Sequence, residues 1–126
     1  MKKILIVDDD PIILKLIENH LSLEGYETTT AEDGFNALEK IQKNQFDLII
    51  SDIMMPNLSG LSLLSISKEF PVKVPIIFIS SLNKGDIIAK SLRLGMDSFM
   101  AKPIDLKDLS ERIKRMIGED LKYKIA

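Results

Sequence analysis

Cysteine is absent from the 126 residues. This excludes a disulfide scaffold, a thiolate nucleophile and any cysteine-ligated zinc or iron–sulfur site. Long hydrophobic runs are missing too. The longest, Ile4–Val7 and Ile76–Ile79, hold four residues each, against the roughly 20 that a transmembrane helix needs. Met1-Lys2-Lys3 leads into one of these short runs and then into three aspartates. A signal peptide would need a longer apolar stretch and a small-residue cleavage site. No membrane insertion is therefore expected, and the cytoplasm is the expected compartment. Net charge is low as well. Seventeen Lys and Arg against 19 Asp and Glu leave −2, too even a balance for a chain built to coat nucleic acid or an anionic membrane.

What remains is an ordinary globular mixture, 45% apolar and 29% charged, which excludes disorder and collagen-like repeats. The length is room for one domain. Charge is unevenly placed: residues 1–63 carry 5 basic and 11 acidic groups, residues 64–126 carry 12 and 8. Without a long same-sign run, this reads as solvated helix faces.

Two patterns alternate along the chain. Short runs rich in β-branched and aromatic residues occur at Ile4–Val7, Phe46–Ile50 and Ile76–Ile79, with a weaker one at Ser98–Ala101. They do not alternate polar with apolar, which is how strands buried on both faces of a parallel sheet read. Tyr26–Ala31 is strand-prone but half polar and suits an edge. Between the strands, Pro11–Leu23, Gly34–Lys43, Leu61–Phe70, Lys84–Leu94 and Leu106–Ile117 show helical spacing. Asp10 is a candidate N-cap of the first helix, with Pro11 at its first position. Strand–helix repeated five times predicts an α/β fold, a (βα)5 doubly wound parallel five-stranded sheet with right-handed crossovers. Residues 1–118 make the domain. The tail 119–126 extends the last helix or frays.

Ligands of open parallel sheets bind outside the carboxyl ends of the strands. The residues there are Asp8, Asp9 and Asp10, Glu32 and Asp33, Asp52, Ser80 and Ser81, and Lys102. Carboxylates gathered there repel: two unit charges about 4 Å apart cost roughly 4 kcal/mol at an effective dielectric near 20. Protonation, a lysine or a metal must relieve them. Oxygen ligands with open positions for water select a hard divalent cation, most naturally Mg2+, and a carboxylate-held Mg2+ is also how proteins handle phosphoryl groups. Asp10 reads as a helix cap. Asp8 and Asp9, with Asp52 and Lys102 at neighbouring strand ends, read as a site.

At this point the chain resembles the receiver domain of bacterial two-component response regulators. The matching stretches are Ile4–Asp9, Asp47–Gly60, Ile76–Ser80 and Gly95–Pro103, and the match spans Lys2 to about Ile117. The resemblance implies a flavodoxin-like strand order of 2-1-3-4-5. It implies a phosphorylation-controlled switch and not a conventional enzyme. Asp52 would accept a phosphoryl group from the phosphohistidine of a sensor histidine kinase or phosphotransfer protein. Asp8, Asp9, Asp52 and the backbone carbonyl of Met54 would hold Mg2+. Lys102 would pair with the phosphate, and Ser80 would hydrogen-bond it. Ser80 and Phe99 would be the switch pair, with Phe99 lacking a hydroxyl to anchor. Met54 and Leu82 take the positions that bear on phosphoryl lifetime, and both are apolar. Lys102-Pro103 matches a step that is usually cis in the family.

The resemblance also places the usual output face on the fourth helix, fifth strand and fifth helix. Here that face includes Lys90, Arg93, Lys107, Arg112 and Lys114. It would serve a downstream protein or output domain, and a phosphorylation-dependent homodimer is compatible with it. Ser62, Ser65 and Ser67 read as a solvated helix face, the methionines as core or loop packing. His20, the single histidine, reads as a surface helix residue remote from the acids. A rival reading is a small Mg2+-dependent phosphatase of the haloacid dehalogenase type, with Asp8 as nucleophile and Asp10 as acid–base. Against it stand the short chain, Pro11 where Thr or Val is usual, and the need to explain Asp52 and Lys102 otherwise.

Overall fold

The most apolar runs lie mid-sheet, because only there are both faces covered. Residues Ile4–Val7, Leu48–Ile50 and Ile76–Ile79 have no solvent exposure at all. The computed structural model describes residues 1–55, 57–70, 73–81 and 85–118. In chain order its elements are β1 (Lys3–Val7), α1 (Pro11–Leu23), β2 (Glu27–Ala31), α2 (Gly34–Lys43), β3 (Leu48–Asp52), α3 (Gly60–Ser67), β4 (Ile76–Ser80), α4 (Gly85–Leu94), β5 (Ser98–Ala101) and α5 (Leu106–Ile117). The strands pair in parallel in the order β2-β1-β3-β4-β5. The half-polar Glu27–Ala31 takes an edge, as its composition predicts.

Alternate residues of each strand point to opposite faces, so the sheet feeds two cores. Ile4, Ile6, Leu48, Ile50, Ile77 and Ile79 pack with Ile17 and Leu21 of α1 and Leu109 and Ile113 of α5. Leu5, Val7, Ile49, Ile76 and Phe78 pack with Ala37 of α2 and Leu63 and Leu64 of α3, and Ile87 and Ile88 of α4 join them. Among the described residues, four helices start on a side-chain cap. Asp10, Asp33, Ser59 and Asp105 each accept a hydrogen bond from the first turn of the helix that follows, satisfying donors that the helix itself leaves open.

Three expectations need correction. The third strand runs two residues later than Phe46–Ile50. Asp47 instead braces the start of β1: its N–H donates to the Lys3 carbonyl, and its carboxylate accepts from the Lys3 N–H at 2.8 Å. Asp52 is consequently the last residue of β3. The third helix ends at Ser67 and not at Phe70, consistent with the helix-averse positions that precede a proline. Ser67 is buried, and its hydroxyl donates to the Leu64 carbonyl at 2.8 Å, so only Ser62 and Ser65 fit the solvated reading. The expected start of the fourth helix at Lys84, and the tail 119–126, lie outside the described residues.

Ile17 carries α1 onto the sheet and is fully buried. Ile17→Ala should lower stability by about 3 kcal/mol, read as an earlier midpoint in urea unfolding with an unchanged slope.

Candidate functional site

Parallel pairing sets Val7 opposite Ser51, Asp52 opposite Ile79, and Ser80 opposite Ala101. The carboxyl ends of four strands are therefore flush, and the residues that leave them meet. Asp8 follows β1, is fully buried, and its Oδ1 accepts from the Asp10 N–H at 2.9 Å. Asp10 caps α1 by accepting from the Ile12 N–H at 2.9 Å, as its sequence position predicts. Asp9, between them, faces solvent. Asp33, at the end of β2, is occupied in capping α2.

Asp52 ends β3 and is 6% exposed. The Ser51 hydroxyl donates to its carbonyl at 2.9 Å, and the Met54 N–H donates to its Oδ1 at 3.3 Å. Ser80 ends β4, also buried, and its carbonyl accepts from the Lys102 N–H at 2.9 Å. The Lys102–Pro103 peptide is cis. Lys102 Nζ lies 3.1 Å from Asp52 Oδ2 and 3.0 Å from Asp8 Oδ2. One ammonium thus bridges two carboxylates from strands 44 residues apart.

The charges are not evenly balanced. Burial pushes the Asp8 carboxyl above its ordinary value, against the Asp10 N–H and Lys102, which lower it; Asp52 adds a smaller upward push. Burial by itself would pull the Lys102 ammonium down, but the facing carboxylates of Asp8 and Asp52 together outweigh it and hold the group above the ordinary lysine value. Asp8 Oδ2 is buried, and although Lys102 is near, no donor among the described residues meets it with hydrogen-bond geometry.

Asp8, Asp9 and Asp52 each offer a carboxylate oxygen, and the three lie within 4.8 Å of one another. All-oxygen donors, an ill-satisfied buried oxygen and one exposed ligand suit a hard divalent cation that keeps part of its water. The expected site residues Asp8, Asp9, Asp52, Ser80 and Lys102 are thus brought to one edge. The Met54 side chain is 56% exposed beside it. Leu82 lies outside the described residues.

Two surface readings change. His20 is partly buried, with Nε2 2.7 Å from the Ser110 Oγ and 3.6 Å from Glu24 Oε1. It ties α1 to α5, away from the acids. Arg112 forks onto Asp108, and its Nη1 donates to the Ser98 Oγ at 2.8 Å and to the Phe99 carbonyl at 2.7 Å. It braces the edge strand at Phe99, itself partly buried against the second core. The i,i+4 spacing of Asp108 and Arg112 signals their pairing; the reach to β5 has no local signal.

The family model for the response regulator receiver domain matches residues 4–114. The chain belongs to this family. The transcriptional regulatory protein CrdR of Helicobacter pylori is 32% identical over 120 residues, a stretch covering 94% of this chain and 56% of that protein. The chain thus spans about half the length of this relative. Among solved structures, a CheY-like receiver domain protein from Methanospirillum hungatei superposes with a TM-score of 0.89 at 33% identity and covers 98% of both chains. TrrA of Thermotoga maritima, determined in complex with Mg2+–BeF, gives 0.83 at 34% identity, covering 92% of this chain and 99% of that one. Among the described residues no helix is long and apolar enough to cross a membrane.

Lys102→Met leaves two buried carboxylates facing each other. Breaking such a pair should cost about 3 kcal/mol at pH 7 without divalent cations. The sign with pH follows from Asp8. Its folded-state value lies above its unfolded one, so its contribution is most favourable below the unfolded value and is lost as pH rises through the folded one. Removing Lys102 takes away an influence that lowers Asp8. The deficit of the variant should therefore shrink as pH is lowered from 7 towards 5, measured by urea unfolding at each pH. A deficit that stays constant would show that the lysine acts by packing and not by charge.

Proposed function

We propose that this receiver is a phosphorylation-controlled signalling switch whose phosphoacceptor is Asp52. The observation that carries the reading is the placement of Asp52: buried at a strand end, 3.1 Å from Lys102, and clustered with Asp8 and Asp9. The donor is a phosphohistidine on a sensor histidine kinase or phosphotransfer protein. An Asp52 carboxylate oxygen attacks phosphorus in line; its O–P bond forms as the P–N bond breaks, and the imidazole nitrogen leaves with the electron pair. Asp8, Asp9, Asp52 and the Met54 carbonyl would hold Mg2+, which when bound supplies positive charge to the phosphoryl oxygens.

The chain's own residues do the rest by position. Lys102 is set by two carboxylates and offers its charge to the incoming phosphoryl group. The Ser80 hydroxyl, at the next strand end, hydrogen-bonds a phosphoryl oxygen. That bond draws Ser80 towards the site, and Phe99 follows by burial, since it has no hydroxyl to hold either position. The surface of α4, β5 and α5 passes the change to a downstream protein or output domain, or to a second copy as a homodimer. TrrA supports the metal assignment, since its complex joins Mg2+ to a fluoroberyllate, the chemical stand-in for a phosphoryl group. The phosphatase reading fares worse, because Asp10, its acid–base, is engaged in capping α1.

Incubation with acetyl phosphate and Mg2+, followed by mass-spectrometric mapping of the acid-labile phosphate, should place a single label on Asp52. Asp52→Ala should take up none. Label on Asp8 in that variant would overturn the reading in favour of the phosphatase.

Hydrolysis of the aspartyl phosphate needs a water in line behind phosphorus. Met54 cannot orient one, and Leu82, whose position relative to the site the sequence match supplies, cannot either. One hydrogen bond to that water is worth about 1 kcal/mol, or roughly five-fold in rate. The phosphorylated state should accordingly be long-lived, and Met54→Asn/Leu82→Glu should shorten it about that much. The check is loss of phosphate from purified phosphoprotein in Mg2+ after donor removal.

A further inference from the structure

Gly34 opens α2 beside the loop that follows Asp52. It is buried, and a Cβ added there would lie 2.2 Å from the Leu58 carbonyl oxygen, 2.5 Å from the Leu58 Cβ and 2.8 Å from its carbonyl carbon. No rotamer relieves this, because two of the three atoms are backbone. The loop is pressed directly onto the first turn of α2.

Leu58 is two residues from Gly60, and Gly60 is the loop's second close contact. Its N–H donates to the Ile53 carbonyl at 2.8 Å. A Cβ there would lie 2.4 Å from the Asp52 carbonyl oxygen and 2.9 Å from the Ile53 Cα. A described chain of contacts therefore runs from Gly34 through Leu58, Ser59 and Gly60 to the backbone of Asp52 and Ile53. The next residue, Met54, donates its N–H to Asp52 Oδ1. Close-packed backbone transmits displacement, because no soft side chain lies between.

We propose that Gly34 is a positioning residue: through Leu58 and Gly60 it sets where the Asp52–Met54 backbone stands relative to Asp8 and Asp9. The consequence for Mg2+ and phosphoryl transfer rests on the reading of Asp52 as phosphoacceptor; the backbone coupling does not. A methyl at position 34 drives Leu58 back by about 1 Å to reach ordinary contact, and supports of metal ligands of this kind change affinity by about ten-fold or more.

The test compares Gly34→Ala with Gly25→Ala. Gly25 has a φ of +96° and nothing within 4 Å of an added Cβ. Alanine there strains a distant turn and lowers stability without pressing on the loop. In metal-free protein, two-dimensional amide NMR should show the Asp52, Ile53 and Met54 resonances displaced in Gly34→Ala and unmoved in Gly25→Ala. Mg2+ titration followed by the same spectra should give about ten-fold weaker binding for Gly34→Ala and wild-type binding for Gly25→Ala. Should Gly34→Ala fail to fold, Gly34→Ala/Leu58→Gly removes the Cβ contact and keeps the carbonyl one, so its Asp52 and Met54 resonances should still differ from those of Leu58→Gly alone. Unmoved Asp52–Met54 resonances in the folded variant would overturn the proposal, as would wild-type Mg2+ affinity. Absence of Mg2+ binding in the wild type would count against the phosphoacceptor reading instead, with the metal-free spectra still deciding the role of Gly34.

Discussion

Two buried carboxylates share one ammonium in this protein, and much of the structure follows from keeping them together. Asp8 and Asp52 leave strands that are not joined in sequence, and like charges so close would separate if anything allowed it. Lys102 prevents this from the third side, but it does not finish the work. Asp8 keeps an oxygen without a well-directed donor, and its carboxyl stays above its ordinary value because burial outweighs the nearby cation. The site is thus held short of positive charge. A cation or a proton relieves that shortage, and a rearrangement that brings either one is favoured.

The sheet supplies the rigidity that this arrangement needs. β1, β3 and β4 are covered on both faces, so their ends cannot splay without exposing isoleucine, leucine and phenylalanine to water. Flush register then converts four separate chain positions into one edge. The loops at that edge are not equally fixed. Asp8 is locked by the turn into α1, whereas Asp9, one residue on, stands in solvent. The same short acidic run therefore yields a buried carboxylate, an exposed carboxylate and a helix cap, three roles separated by backbone direction alone.

Away from the edge, the helices are tied to one another by polar contacts that a surface reading overlooks. His20, Ser110 and Glu24 join α1 to α5, and Ser110 Oγ donates to Glu24 Oε1 at 2.6 Å. Arg112 joins α5 to the edge strand β5 at Phe99. Charged and polar groups on helix faces read as solvated because helical spacing predicts only neighbours three and four residues away. Contacts between residues 90 apart, as for His20 and Ser110, depend on which helices the sheet places side by side.

The alternation of strands and helices, the edge position of Glu27–Ala31, the capping role of Asp10 and the set of residues at the strand ends were all determined by the sequence itself. Each is local: a run of β-branched residues, a helical period, or an Asp-Pro step carries its meaning within a few positions. Tertiary structure decided the rest. It shifted β3 by two residues, because Asp47 is bound to Lys3 and Asp52 continues a ladder with Ile79. It buried Ser67, half-buried His20, and set one lysine between two aspartates. It also pressed Gly34 onto Leu58, a contact that no spacing announces. The physical reason is the same in each case. Register and packing act between segments far apart in the chain, where distance and burial, and not residue type, settle which charges meet and which backbones touch.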